Sequence, residues 1–193
     1  LRCPLVIFVG RPAVPALCAI WMVHRSYKNK KGPLGILWWV IWAVFFPNAP
    51  YMLTDLVHVK LYEHPFGYSA QPDPLAWLGL VYIAAAVAVG CAFGFLSLYL
   101  LQQLLKKRFS AAKGWIFCGA ASLLAGCAIF ICRFMRFTSW DIIKRPLALL
   151  QEMATRLNGL TLTLVLLFSF MTLGAYLLFY FCYDDRQTAK QKQ

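Results

Sequence analysis

Two short stretches gather side chains whose types and spacing could do chemistry. The first is FFPNAPYMLTDLVH, residues 45–58, and the second is RFMRFTSWD, residues 133–141. Asp55 and His58 stand three apart, so on a helix they share a face and could divide general acid and base work between them. Asp141 is a second carboxylate able to exchange a proton. Arg133 and Arg136, also three apart, offer two guanidinium forks suited to an anionic lipid headgroup or a phosphate group. Asn48, Tyr51, Thr54, Ser139 and Trp140 would supply the hydrogen-bonding and aromatic surround. Plainer roles exist for each. Asp55 could pair with an arginine, His58 could sit at the water interface, Asp141 could cap a helix, and Trp140 could anchor at the membrane surface. Asp55 and His58 could also place two metal ligands on one face. Two ligands do not make a site, and His24 belongs to the opposite side of the membrane, so neither a metal nor a cofactor is called for. A nucleophile elbow, a zinc-protease helix and a phosphate loop are all missing from the sequence.

The elements that must position these groups are set by composition. Of 193 residues, 61% are hydrophobic and 13% charged, and the mean hydropathy is positive. A soluble domain of this size could not hide so much apolar surface in one core. Lipid must solvate the chain. Its net charge of +12 would suggest nucleic acid in a soluble protein. Here the basic residues fall in short runs between apolar stretches, which is the pattern that orients a protein in a bilayer. The chain contains no nucleic-acid-binding module, and the aromatic residues lie inside the hydrophobic stretches.

About 20 apolar residues are needed to cross about 30 Å of hydrocarbon. Five stretches qualify, at about 4–23, 34–59, 75–101, 114–132 and 159–183. The expected architecture is therefore all-α, a single membrane domain over residues 1–193 built as a bundle of about five transmembrane helices. The first span is weakened by Arg11, Pro12 and Pro15. Because the first residue is Leu1 and not Met, an upstream segment is expected. Arg25, Lys28, Lys30 and Lys31 follow the first span. Lys106, Lys107, Arg108 and Lys113 follow the third, and Arg186, Lys190 and Lys192 follow the fifth. If the spans alternate, all three groups fall on one side, the cytoplasm, together with the C-terminus. The connection 133–158 dissents, with Arg133, Arg136, Lys144, Arg145 and Arg156, although the inside still holds more basic residues. Both polar stretches then reach the extracytoplasmic face.

The second span cannot be one straight helix. Leu34 to Phe46 is 13 residues, about 20 Å of helix, too short to cross. Pro47 and Pro50 remove backbone donors, and Pro50 pushes Ala49 away from helical geometry. A break at Pro47–Pro50 is expected, with a helix restarting at Pro50 and Asn48 near its cap. On that helix Tyr51, Asp55, His58 and Tyr62 form one polar stripe, with Thr54 beside it and Met52, Leu56 and Val59 opposite. A carboxylate at membrane depth is costly and marks a candidate functional site. In the second stretch, Thr138 to Asp141 has the form of a capping box. It would open an amphipathic helix near 140–157 that lies in the membrane surface. A buried pair of Asp55 with Arg133 or Arg136 would join the two stretches.

Small residues set the packing. Ala86, Gly90 and Gly94 make one ladder and Gly114, Cys118, Ser122 and Gly126 another, each suited to close helix approach within the bundle. A homodimer through Gly90 and Gly94 is the less favoured use. The seven cysteines lie in or beside apolar stretches without metal-binding spacing and read as small buried hydrophobes.

PNAPYMLTDLVH (47–58) followed by RFTSWD (136–141) resembles an uncharacterised family of small bacterial integral membrane proteins, a family defined as a domain of unknown function. Pro47, Asn48, Pro50, Tyr51, Thr54, Asp55, Ser139, Trp140 and Asp141 carry the match, and the order of spans agrees over most of the chain. In the family Asn often precedes Ser-Trp-Asp, where this chain has Thr138. The resemblance implies the bacterial cytoplasmic membrane and one more N-terminal span, but no substrate. Three functions stay open. The first is a structural or accessory protein whose polar clusters lock the bundle. The second is an enzyme acting on an anionic lipid or phosphate-bearing substrate at the outer leaflet, and the third a small-solute transporter or binding protein.

Overall fold

The computed structural model describes residues 4–27, 34–54, 74–134, 155 and 158–191. The amphipathic helix expected near 140–157 lies outside the described residues, apart from helical Thr155. The architecture is an all-α membrane bundle, and every described element is a helix. These are α1 (Pro4–Tyr27), α2 (Leu34–Phe45), α3 (Asn48–Thr54), α4 (Pro74–Arg108), α5 (Ala111–Phe134) and α6 (Gly159–Gln191).

Four segments are long and apolar enough to cross a membrane: Ile36–Thr54, Trp77–Arg108, Ala111–Arg133 and Gly159–Tyr183. The first of them is α2 and α3 taken together. In α1 the described apolar part is shorter, Ala13–Arg25. Its 24 residues nonetheless run about 36 Å as a continuous helix. Pro12 and Pro15 do not interrupt it, and Pro15 is fully buried. A transmembrane helix tolerates such residues when neighbouring helices enclose them.

The helices overshoot the apolar stretches that foretold them. α4 continues through Gln102, Gln103, Leu104, Leu105, Lys106, Lys107 and Arg108, all good helix formers able to carry a helix into the interface. It then turns tightly into α5. Phe109 N–H donates to the Leu105 carbonyl at 2.9 Å, and Ser110 Oγ accepts from Lys113 N–H at 3.3 Å as the N-cap of α5. Asn158 caps α6 in the same way, with Oδ1 accepting from Thr161 N–H at 2.8 Å and from Thr161 Oγ1 at 3.0 Å.

α4 is the spine. α1 packs along it and along α2, and α5 packs between α4 and α6. The short helix α3 lies on α4 and touches α5 and α1. The core runs through Cys18, Met22, Trp42, Phe46, Met52, Val87, Cys91, Phe95, Leu98, Cys118, Ala125 and Tyr176. Small residues admit the close crossings, as their spacing predicts. A Cβ on Gly126 would fall 2.6 Å from the Val165 carbonyl oxygen and 2.9 Å from Ser169 N, so α5 and α6 meet there backbone to backbone. Large apolar side chains such as Leu78, Ile116, Leu160, Phe170 and Leu178 stay exposed along the outer faces, as residues solvated by acyl chains should.

Candidate functional site

The second span breaks where its prolines demand. α2 ends at Phe45, Phe46 and Pro47 form a turn, and α3 starts at Asn48. Pro47 and Pro50 have no N–H to give, so the local hydrogen bonds rearrange. Phe46 N–H closes α2 on the Trp42 carbonyl at 2.7 Å. Ala49 N–H then reaches back only as far as the Phe46 carbonyl, at 3.1 Å, and Tyr51 N–H reaches the Pro47 carbonyl at 3.1 Å. In an unbroken helix Ala49 N–H would serve the Phe45 carbonyl. That carbonyl is served instead by Asn48, whose Nδ2 donates to it at 3.1 Å. The restart therefore comes two residues before Pro50, and Asn48 acts as a donor closing α2 instead of an acceptor capping the next helix.

Three contacts on α4 and one on α5 hold the broken segment in place. Ala49 packs directly on Gly94, where any Cβ would collide with the Ala49 methyl group. Cys91 Sγ donates to the Ala49 carbonyl at 3.4 Å. Trp42 Nε1 donates to Ser97 Oγ at 3.1 Å, and Ser97 Oγ passes its own proton to the Gly94 carbonyl at 2.6 Å. The indole is only 2% exposed. It stacks on Phe46 with centroids 4.7 Å apart and leans on Phe117 of α5 at 5.3 Å.

The far end of α3 is where the two polar stretches meet. Thr54 is buried, and its Oγ1 donates to the Tyr51 carbonyl at 2.7 Å. Arg133, at the end of α5, donates from Nη2 to the Thr54 carbonyl at 3.2 Å across 79 residues of sequence. A guanidinium suits a backbone carbonyl because the charged N–H makes a stronger hydrogen bond than a neutral donor. The inward positions of α3 go to Ala49, Pro50, Met52 and Thr54, while Tyr51 is half-buried on the flank. Met52, placed by periodicity opposite the polar stripe, is thus the residue that enters the core.

Of the residues singled out by sequence, Asn48, Tyr51, Thr54 and Arg133 are brought to this one region. Asp55, His58, Arg136, Ser139, Trp140 and Asp141 lie outside the described residues. Among the described residues no trio of His, Cys, Asp or Glu is placed to hold a metal ion. Sequence reasoning missed Trp42, Ser97, Cys91 and Ala49. Only Gly94, on its small-residue ladder, carried a readable signal, and that ladder is used within the chain. The cysteines at 18, 91, 118, 127, 132 and 182 are free thiols.

A broken membrane helix, with its Phe45 carbonyl bonded by an amide and its Thr54 carbonyl by a guanidinium, can hold polar groups at a fixed depth. No curated protein and no solved structure matches the chain. A family model described as a protein of unknown function, DUF1361, matches residues 12–174, and the chain belongs to that family.

Proposed function

We propose that this chain is a structural or accessory multi-pass protein of the bacterial cytoplasmic membrane. Its broken second span is a fixed scaffold for the polar cluster of Tyr51, Asp55, His58, Ser139, Trp140 and Asp141 on the extracytoplasmic face. One observation carries the reading. Among the described residues, three polar side chains of the site donate to main chain: Asn48 to Phe45, Thr54 to Tyr51 and Arg133 to Thr54. Groups used in this way hold architecture together. A pair of the Asp55 carboxylate with Arg133 or Arg136 belongs to the same proposal. The orientation rests on the basic residues around Arg25, Lys106 and Arg186, which belong on the cytoplasmic side with the C-terminus.

A second reading rests on Arg133 itself. A guanidinium at the end of a broken helix is also how an anionic lipid headgroup or phosphate would be held, with Asp55 or Asp141 as acid or base. Thermal unfolding of Arg133→Ala in detergent separates the two. The scaffold reading predicts a clear loss of stability. An Arg133→Ala variant that melts like the parent and has lost a co-purified anionic lipid in native mass spectrometry would replace the scaffold by the binding site.

A further inference from the structure

A second polar layer lies about 12 Å along α4 from Gly94, toward the basic end of that helix. Gln102 and Tyr176 are both 0% exposed, and Tyr176 Oη donates to Gln102 Oε1 at 2.6 Å. That separation is the length of an O–H···O bond and is short for N–H···O, which fixes the amide with its oxygen toward the phenol. Cys118 of α5 is fully buried in the same core cluster as this phenol. Gln102 Nε2 is buried and meets no acceptor among the described residues.

The layer is sealed at its basic end. Lys106 Nζ donates to Tyr180 Oη at 3.3 Å and sits 4.8 Å from the ring centroids of both Trp115 and Tyr180. Gly114 lies against the stems of Lys106 and Gln102, where an added Cβ would come within 2.7 Å and 3.3 Å of their Cγ atoms. The seal is why the amide matters. A primary amide donor shut away from both bulk water and acyl chains is expensive to leave without an acceptor.

We propose that Gln102, Tyr176 and Cys118 form a buried site for a single water molecule between α4, α5 and α6. The acceptor must be a small oxygen. An ester carbonyl of an inner-leaflet lipid has the same chemistry, but it would have to bring its chain past Lys106, Trp115 and Tyr180. A water accepts from Nε2 and returns its own protons to the lone pairs of the phenol oxygen and the thiol sulfur, within the two to four partners a buried water needs. The three helices are thereby joined through one hydrogen-bonded centre, which no direct pair of side chains provides.

X-ray radiolytic footprinting of the full chain in lipid nanodiscs, in water enriched with oxygen-18, reads this directly. Hydroxyl radicals form on bound water, so the site predicts hydroxylation of Tyr176 well above that of Phe46 and Trp42. Those two are equally sealed but lie in the dry aromatic layer. Gln102→Met keeps the volume, removes the donor and should reduce Tyr176 labelling several-fold, with exposed Phe181 unchanged. Tyr176 labelled no more than Phe46 in the parent overturns the proposal even if Gln102→Met does not fold. So does labelling that survives in a folded Gln102→Met. An unlabelled Tyr176 together with a lipid that native mass spectrometry finds in the parent and not in Gln102→Met assigns the acceptor to the lipid carbonyl instead.

Discussion

Replacing Gly94 by alanine puts the packing of the broken span to a quantitative test. The new methyl would collide with the Ala49 methyl group, and the next atom it meets, Ala49 Cα, lies at an ordinary 3.7 Å. α3 would have to lift off α4, disturbing the Cys91–Ala49 and Trp42–Ser97 hydrogen bonds around it. Overpacking of this kind costs about 1–3 kcal/mol. The gain in helix propensity from glycine to alanine returns about 1 kcal/mol, leaving a net loss of about 0–2 kcal/mol. Because the obstacle is a single side-chain atom, Ala49→Gly should remove it. The double variant Gly94→Ala/Ala49→Gly should then be more stable than the sum of the two single changes by about 0.5–3 kcal/mol. Gly126 is the control. There the obstacles include the Val165 carbonyl oxygen at 2.6 Å and Ser169 N at 2.9 Å, so Ser169→Gly should fail to rescue Gly126→Ala. Equilibrium unfolding in mild detergent, followed by tryptophan fluorescence, measures all six variants. A double variant no more stable than the sum of its two single changes would refute close packing as the reason for that glycine.

Asn48→Asp should destabilise at least as much as Asn48→Ala, because the Phe45 carbonyl loses a donor in both; an N-cap would instead accept Asp without loss, and thermal midpoints decide between them. Ser97→Ala strands the buried indole N–H of Trp42 and should cost about 1–3 kcal/mol, read by the same unfolding assay. Gly79→Ala and Gly119→Ala point into open space and should be neutral or stabilising by up to about 1 kcal/mol, which thermal melts would show.

The sequence was most legible where one physical constraint dominated. Apolar length marked α2 with α3, α4, α5 and α6 as spans. The missing donors of Pro47 and Pro50 marked the break between Phe45 and Asn48. Spacing marked the glycines at 94 and 126 as close crossings but could not say which partner each meets, since Ala49 and Ser169 come from helices distant in sequence. Asn48 was read by its commonest use, as a cap, while the geometry employs its amide as a donor. Gln102 and Tyr176 went unnoticed because neither stands in a motif and their contact joins helices 74 residues apart in sequence. The available signal was that both Gln102–Lys106 and Tyr176–Tyr180 recur four apart, which aligns two polar layers on facing helices. That Arg133 would meet the broken span was readable only as a coincidence of depth, and the bond to the Thr54 carbonyl gives it a specific form.

The most direct test of the scaffold is a double-mutant cycle on Arg133→Ala and Asp55→Asn, with thermal midpoints measured in detergent. If the guanidinium locks the end of α3 and pairs with the neighbouring carboxylate, each single change lowers the midpoint and the double variant falls little further. If all three variants melt like the parent, the two charges hold nothing together, and the outer cluster exists for a ligand and not for the fold.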